Sequence, residues 1–261
     1  MADFDILDFG QRLAAINRFD GNLRFGAATF HSKTNRSGDG KPSSGGMTRE
    51  QSKVVEDSGQ ERFRRKSGMW ESTGRCPTCG SQERDPFVSR YAVDIHKCRK
   101  CEHRYLDPRV RFEVAMTLYA DDKTASDIYT QPLQVETDEI KYQYGLDLVD
   151  QLRPPARSKI MDIGCGAGVF LKMAEQNGWA QCVGIDVNER YASSYRNIGG
   201  VQFISANFEG LQPDSLGTGY DCVSMWSVLE HLYDPHAILR VLKGIMKQRG
   251  LLFILVPNVE S

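Results

Sequence analysis

From residue 159 onward, short apolar runs alternate with stretches whose apolar residues recur at helical spacing. Ile160, Met161 and Ile163 form the first run, ahead of Gly164, Gly166 and Gly168. Val169, Phe170, Leu171, Met173 and Ala174 then read as the buried side of a helix ending near Asn177-Gly178. Further strands are predicted at Cys182 to Ile185, Val201 to Ile204, Tyr220 to Trp226 and Leu251 to Val256. Helices are predicted at Tyr191 to Ile198 and, opened by Asp234-Pro235 and carrying Ile238, Leu239, Val241, Leu242 and Ile245, up to a point before Gly250. Strand and helix in strict alternation predict an α/β fold, a doubly wound and mostly parallel sheet with helices on both faces. Ligands of such sheets bind at the carboxyl ends of the strands.

Upstream the pattern weakens. Phe112 to Tyr119 reads as helical, and so does Ile140 to Leu152, with Ile140, Tyr144, Leu148 and Val149 on one face, stopped by Arg153-Pro154-Pro155. Ile6 to Phe19 is a short amphipathic candidate. Residues 31–68 are rich in Ser, Gly, Lys and Arg and lack the apolar surface to offset chain entropy, so disorder is expected there. Arg62, Arg64, Arg65 and Lys66 form a basic cluster within that segment. The expected organisation is a largely disordered segment 1–70, a small module 71–108, a linker with a helix 109–134, and the α/β domain 135–261.

The chain has 261 residues, 40% of them hydrophobic, with no apolar run long enough for a transmembrane helix. The opening MADFDILDFGQRL has no basic n-region, so a secretory signal is not expected and a cytoplasmic location is. Of 33 Lys+Arg and 34 Asp+Glu, residues 130–261 hold 11 and 15, a net of −4, leaving 22 and 19, a net of +3, for residues 1–129. Neither part is basic enough to argue for nucleic acid on charge alone. Of seven cysteines, Cys165, Cys182 and Cys222 lie on or beside core strands and read as free buried thiols.

The other four form Cys76-Pro-Thr-Cys79 and Cys98-Arg-Lys-Cys101, separated by 18 residues. Each C-x-x-C makes a tight knuckle with both sulfurs facing one point, and two knuckles complete a four-thiolate zinc site. Gly80 stands where such a knuckle needs a flexible residue, and His96 and His103 flank the second pair as alternative ligands. Phe87 to Ile95 resembles the short strands of a zinc ribbon. The closed site leaves no position for water, so its zinc is expected to be structural.

Strand, glycine-rich turn and helix bring backbone N–H groups and a helix N-terminus up to a ligand. The spacing D-x-G-x-G-x-G differs from the G-x-G-x-x-G of dinucleotide enzymes. Asp162 in the turn would repel a pyrophosphate and suits a cationic or neutral ligand end. Asp186, 24 residues later at the end of the second strand, occupies the position that takes ribose hydroxyls in doubly wound folds.

DIGCGAG, VGIDVNE, FISANFEGL, YDCVSMWSVLEHLYDP and GLLFILVPN, in that order, resemble the class I (Rossmann-like) S-adenosylmethionine-dependent methyltransferases over about residues 135–261. The LEHL-x-DP wording is similar to the branch that includes ubiquinone-pathway O-methyltransferases and many enzymes of small-molecule and glycan pathways. The resemblance implies that Asp162 and the backbone of Gly164, Gly166 and Gly168 hold the methionine end of S-adenosylmethionine. It implies that Asp186 takes the ribose and that Asn207 stands where the family has an Asp for the adenine amino group. Cys165, Val187 and Phe208 join this cofactor-binding set, and Trp226 and Ser227 line the floor by the reactive methyl. His231 is the candidate base.

Two departures from the family pattern stand out. Glu230 and His231 match two of three magnesium ligands of some quinone methyltransferases, but Ser227 replaces the third. The family sheet ends in an antiparallel hairpin after the fifth strand, and here that strand is expected as an open edge, to be covered by a partner or a further segment. The function expected is methyl transfer to an O, N or C acceptor on a small molecule or glycan/lipid-pathway intermediate. Two alternatives are an RNA methyltransferase gripping nucleic acid through Arg75, Arg84, Lys97, Arg99, Lys100, Arg104, Arg109 and Arg111, and a non-catalytic zinc-ribbon adapter with a degenerate methyltransferase fold.

Overall fold

Five strands line up in parallel in the order β10-β9-β6-β7-β8, namely β6 (Lys159–Ile163), β7 (Gln181–Asp186), β8 (Val201–Ser205), β9 (Tyr220–Trp226) and β10 (Met246–Leu255). The computed structural model describes residues 67–90, 93–120, 122, 127, 129–152, 159–196 and 198–257. The expected helix around Ile6 to Phe19, most of the segment 31–68 and the basic cluster at Arg62 to Lys66 lie outside the described residues. All described residues fall within one unit, Gly59–Pro257.

β6 and β9 occupy the middle of the sheet and are buried along most or all of their length, which is why they read as near-continuous apolar runs. One face is covered by α2 (Pro132–Leu152), α3 (Val169–Gln176) and α4 (Ala192–Tyr195), the other by α5 (Pro213–Leu216) and α6 (Pro235–Ile245). Leu146, Phe170, Leu171, Trp179 and Trp226 build the first core layer; Met161, Ile163, Met225, Ile238 and Leu242 build the second. β10 pairs with β9 on one side and has no strand on its other side among the described residues. Leu251 to Leu255 are accordingly half-buried.

Two helices differ from expectation. α2 starts at Pro132, and its buried residues are Asp138, Gly145, Leu146 and Val149, while Ile140 is 59% exposed and Tyr144 is exposed. The inward face is set by what it meets. A Cβ on Gly145 would come within 2.4 Å of the Trp226 ring, so only glycine lets α2 close on that indole. The helix expected from Tyr191 to Ile198 is a short 3-10 turn, Glu189–Tyr191, plus α4.

The cysteine-rich part is a three-stranded antiparallel sheet of β2 (Arg84–Arg90), β3 (Val93–Cys98) and β4 (Arg104–Leu106). The chain on either side closes it: β1 (Trp70–Glu71) pairs with β5 (Arg109–Val110). α1 (Phe112–Ala120) follows β5.

Candidate cofactor and metal sites

The end of β6 turns sharply because β7 holds it. The N–H groups of Gly164 and Cys165 both donate to Ile185 O, at 2.8 and 3.1 Å, and Gly166 N–H donates to Asp186 Oδ2 at 2.9 Å. Asp186 Oδ1 accepts from Asn188 N–H at 2.9 Å. One carboxylate at the end of β7 therefore fixes the glycine turn and its own following loop. Gly164, Gly166 and Gly168 have φ of 68°, 50° and 84°. A Cβ on Gly166 would meet no neighbour, so it is the left-handed backbone and not crowding by the protein that favours glycine there.

That cavity, of about 580 Å³, lies at the carboxyl ends of β6, β7, β8 and β9, in the size range of small-molecule sites. Gly164, Cys165, Gly166, Asp186, Val187, Asn207, Phe208, Trp226, Ser227 and His231 all line it. Gly168 and Asp162 do not. Gly168 is the N-cap of α3, and Asp162 is buried behind the turn, 2% exposed, where Ser224 Oγ donates to its Oδ1 at 2.7 Å. Asn207 Oδ1 accepts from Glu209 N–H at 3.1 Å, which orients its amide at the cavity wall. Ser227 has φ of 55°, a left-handed conformation that costs a non-glycine residue about 1–2 kcal/mol, at the turn out of β9.

Burial raises both acids here, against different opposing contacts. Burial pushes the Asp162 carboxyl up to about 8, reinforced by nearby Asp186 and opposed by the Ser224 hydroxyl. Burial also raises Asp186, against the N–H groups that lower it. Because Asp162 is raised in the folded chain, the folded state binds more protons than the unfolded one between about pH 4 and about pH 8. Its contribution to stability is complete below that window and is lost as pH rises through it. Asp162→Asn keeps an acceptor for Ser224 and is expected to remove this loss. Denaturant midpoints measured from about pH 6 to about pH 9 should fall with pH in the parent and stay flatter in the variant.

Residues outside the family motifs complete the cavity. Met116 and Tyr119 come from α1, and Asp138, Lys141 and Tyr142 from α2. Tyr119 Oη lies 3.2 Å from His231 Nδ1, their rings edge to face, so α1 supplies the hydrogen-bond partner of the candidate base. Glu230 lies farther off, its Oε1 3.9 Å from His231 Nε2. Lys141 Nζ binds Asp138 Oδ1 at 2.7 Å and lies over the rings of Tyr142 and Trp226. Sequence reasoning missed Tyr119: it is separated from His231 by 112 residues, with no motif around it.

In the small module, Cys76 Sγ lies 3.6 Å from Cys101 Sγ and Cys79 Sγ 3.5 Å from Cys98 Sγ, with all four sulfurs within 4.8 Å of one another. Four thiolates at about 2.3 Å from one zinc ion stand about 3.8 Å apart, so the set fits that metal. Burial raises the Cys98 thiol, but the N–H groups of Cys101 and Lys100 together with the neighbouring Cys79 and Cys101 thiols outweigh burial and hold it down to about 6. Gly80 takes φ of 70° and donates to Cys76 O, and Glu102 does the same for Cys98 O at φ of 61°. His96 Nε2 meets Asp107 O, and His103 stacks on Tyr105; neither belongs to the cluster. This is the one group of three or more metal-ligating side chains among the described residues, and Glu230 with His231 forms none.

A family model described as a methyltransferase domain matches residues 138–261. Residues 138–261 thus match a methyltransferase domain. The ubiquinone biosynthesis O-methyltransferase of Neisseria meningitidis serogroup C (strain 053442) is 27% identical over 122 residues, covering 43% of this chain and 50% of that protein. Its counterpart in Acinetobacter baumannii (strain AYE) is 28% identical over 109 residues, 40% of this chain and 45% of that protein. The chain thus spans about half the length of the curated relatives it matches. The magnesium protoporphyrin IX methyltransferase of Synechocystis PCC 6803, solved with S-adenosylmethionine bound, aligns with a TM-score of 0.42 at 18% identity, over 52% of this chain and 71% of that one. Within the methyltransferase domain no helix is long and apolar enough to cross a membrane, and the same holds for every described helix.

Proposed function

We propose that the cavity binds S-adenosylmethionine and that the chain transfers its methyl group to an O, N or C acceptor on a small molecule. One observation carries this reading: Asp186 both closes the glycine turn onto Gly166 and faces the cavity that Asn207, Trp226 and His231 share. The bound sulfonium supplies an already activated methyl group. The chain's own residues have to orient both reactants and keep water out. Asp186 offers its remaining lone pairs to the ribose hydroxyls, and the Gly164 to Gly166 backbone abuts the methionine end. Asp162 acts from behind, through the turn it underlies. Asn207 reads the adenine edge between Phe208 and Val187, and Trp226 with Ser227 forms the floor. His231 takes the acceptor's proton at the imidazole nitrogen left open by Tyr119.

The names of the curated relatives favour a small-molecule acceptor, with a glycan/lipid-pathway intermediate as the broader class. For the RNA alternative, charge pairing in and beside the zinc ribbon is the relevant observation. Arg84 pairs with Asp107, Lys97 with Glu102, Arg99 with Asp85 and Arg109 with Glu71, which leaves less free positive charge than the sequence suggests. A cytoplasmic location and a strand or partner on the open edge of β10 complete the proposal. Calorimetry with S-adenosylhomocysteine is expected to show saturable binding. Incubation of a cellular extract with methyl-labelled S-adenosylmethionine should then label a small metabolite. No heat with either compound would favour the adapter reading, and label confined to RNA would favour the nucleic-acid one.

A further inference from the structure

The zinc module touches the methyltransferase domain at the loop that carries His231. On one side, His236 Nε2, in the first turn of α6, lies 2.8 Å from Thr78 O, inside the first cysteine knuckle. On the other side, Arg109 Nε donates to Glu71 Oε1 at 2.9 Å, which locks β5 to β1. The same guanidinium lies 4.5 Å from the centre of the Tyr233 ring, and its Nη1 donates to Tyr233 O at 3.4 Å. Tyr233 returns the contact: its hydroxyl donates to Val110 O at 2.6 Å and its ring meets Phe112 edge on. Glu209, which lines the cavity, accepts from the N–H groups of Tyr233 and Asp234 at 2.6 and 3.0 Å. Residues 231–236 are therefore held from the module and from the cavity wall at once. Beyond Phe112, α1 carries Tyr119 to His231.

We infer that Arg109 and Tyr233 are positioning residues through which the folded zinc module sets the place of His231 and of the Tyr119–His231 pair at the cavity wall. Neither residue lines the cavity. Arg109 acts by shape as well as charge, because only a flat guanidinium can stack on Tyr233 while donating to Glu71 and to a carbonyl. A lysine keeps the charge and loses the stack. The inference rests on the proposed methyl-transfer reading only in treating that wall as the acceptor's side.

The test uses the full zinc-loaded chain and its Arg109→Ala, Arg109→Lys and Tyr233→Phe variants. Hydrogen exchange is followed by mass spectrometry, the His231 imidazole by nitrogen NMR, and cofactor-site binding by calorimetry with S-adenosylhomocysteine. In Arg109→Ala, exchange across 227–236 and 112–120 is expected to quicken about tenfold and the His231 resonances to shift, with zinc content and the protection of β6 and β7 retained. Arg109→Lys should behave like Arg109→Ala, and Tyr233→Phe, which keeps the ring, should fall between it and the parent. Affinity for S-adenosylhomocysteine should stay within about threefold, since the cofactor side is held by Asp186. If Arg109→Ala loses its zinc, Tyr233→Phe decides on the same readouts. Unchanged exchange and unchanged His231 resonances in variants that retain zinc would overturn the inference, as would zinc-stripped parent protein with full protection at 227–236. Absence of S-adenosylhomocysteine binding in the parent would instead count against the proposed function, and the exchange comparison would still decide this inference.

Discussion

Cys98→Ser is expected to abolish zinc binding and to unfold the module around β2, β3 and β4. The reason is what fills that module's interior. Its buried residues are Cys76, Cys98 and Tyr105, with Cys79 packed against them, so the ligands themselves are most of the core. Phe87, Val88 and Leu106 are exposed, and Ile95 on β3 is only half-buried. A unit of this size without an apolar interior draws its folding free energy from the metal, about 10–16 kcal/mol for structural zinc in small peptides near neutral pH. Serine is a poor zinc ligand, and three thiolates leave the fourth position to water. The five-stranded sheet has its own two core layers and should persist. Colorimetric zinc release and limited proteolysis check this: the variant should lose the ion and be cut between residues 70 and 110. A serine variant that keeps both zinc and protease resistance would show that the module folds on other contacts.

What could be read from the chain alone follows from how local each signal is. The strands of the sheet, the glycine turn and the paired C-x-x-C spacing depend on neighbours in sequence, and each sits where its pattern places it, except that β10 starts five residues early, at Met246. The inward face of α2 does not. Apolar spacing favours Ile140 and Tyr144, yet Gly145 and Asp138 face inward, because Trp226 needs a residue without a side chain and Lys141 neutralises the acid. Tertiary partners far along the chain decided that face. Glu102 is a similar case: the second knuckle needs the left-handed turn that Gly80 gives the first, and a glutamate takes it. Tyr119 was invisible for the opposite reason, since a tyrosine on a short helix has no pattern until His231 is brought beside it.

The second large effect is expected at Asp186. Asp186→Ala should reduce affinity for S-adenosylhomocysteine by about a hundredfold or more, below detection in ordinary calorimetry. Two losses add up. The ribose hydroxyls lose a charged acceptor, worth about 1.5–3 kcal/mol for each such hydrogen bond. The glycine turn loses the acceptor for Gly166 N–H, and the loop after β7 loses that for Asn188 N–H, so the backbone that meets the ligand is no longer held in place. Asp186→Asn separates the two. Its amide oxygen can keep one backbone N–H, while its NH₂ group turns a donor toward the other, and an intermediate loss of about tenfold is expected. The pH dependence should agree in sign. Burial raises the Asp186 carboxyl, so lowering the pH protonates it early, removes acceptor capacity and weakens binding. In Asp186→Asn that acid-side weakening should be reduced. Parent-like affinity in Asp186→Ala, with the fold intact by circular dichroism, would mean that the ligand sits elsewhere and that this carboxylate serves only to hold the turn.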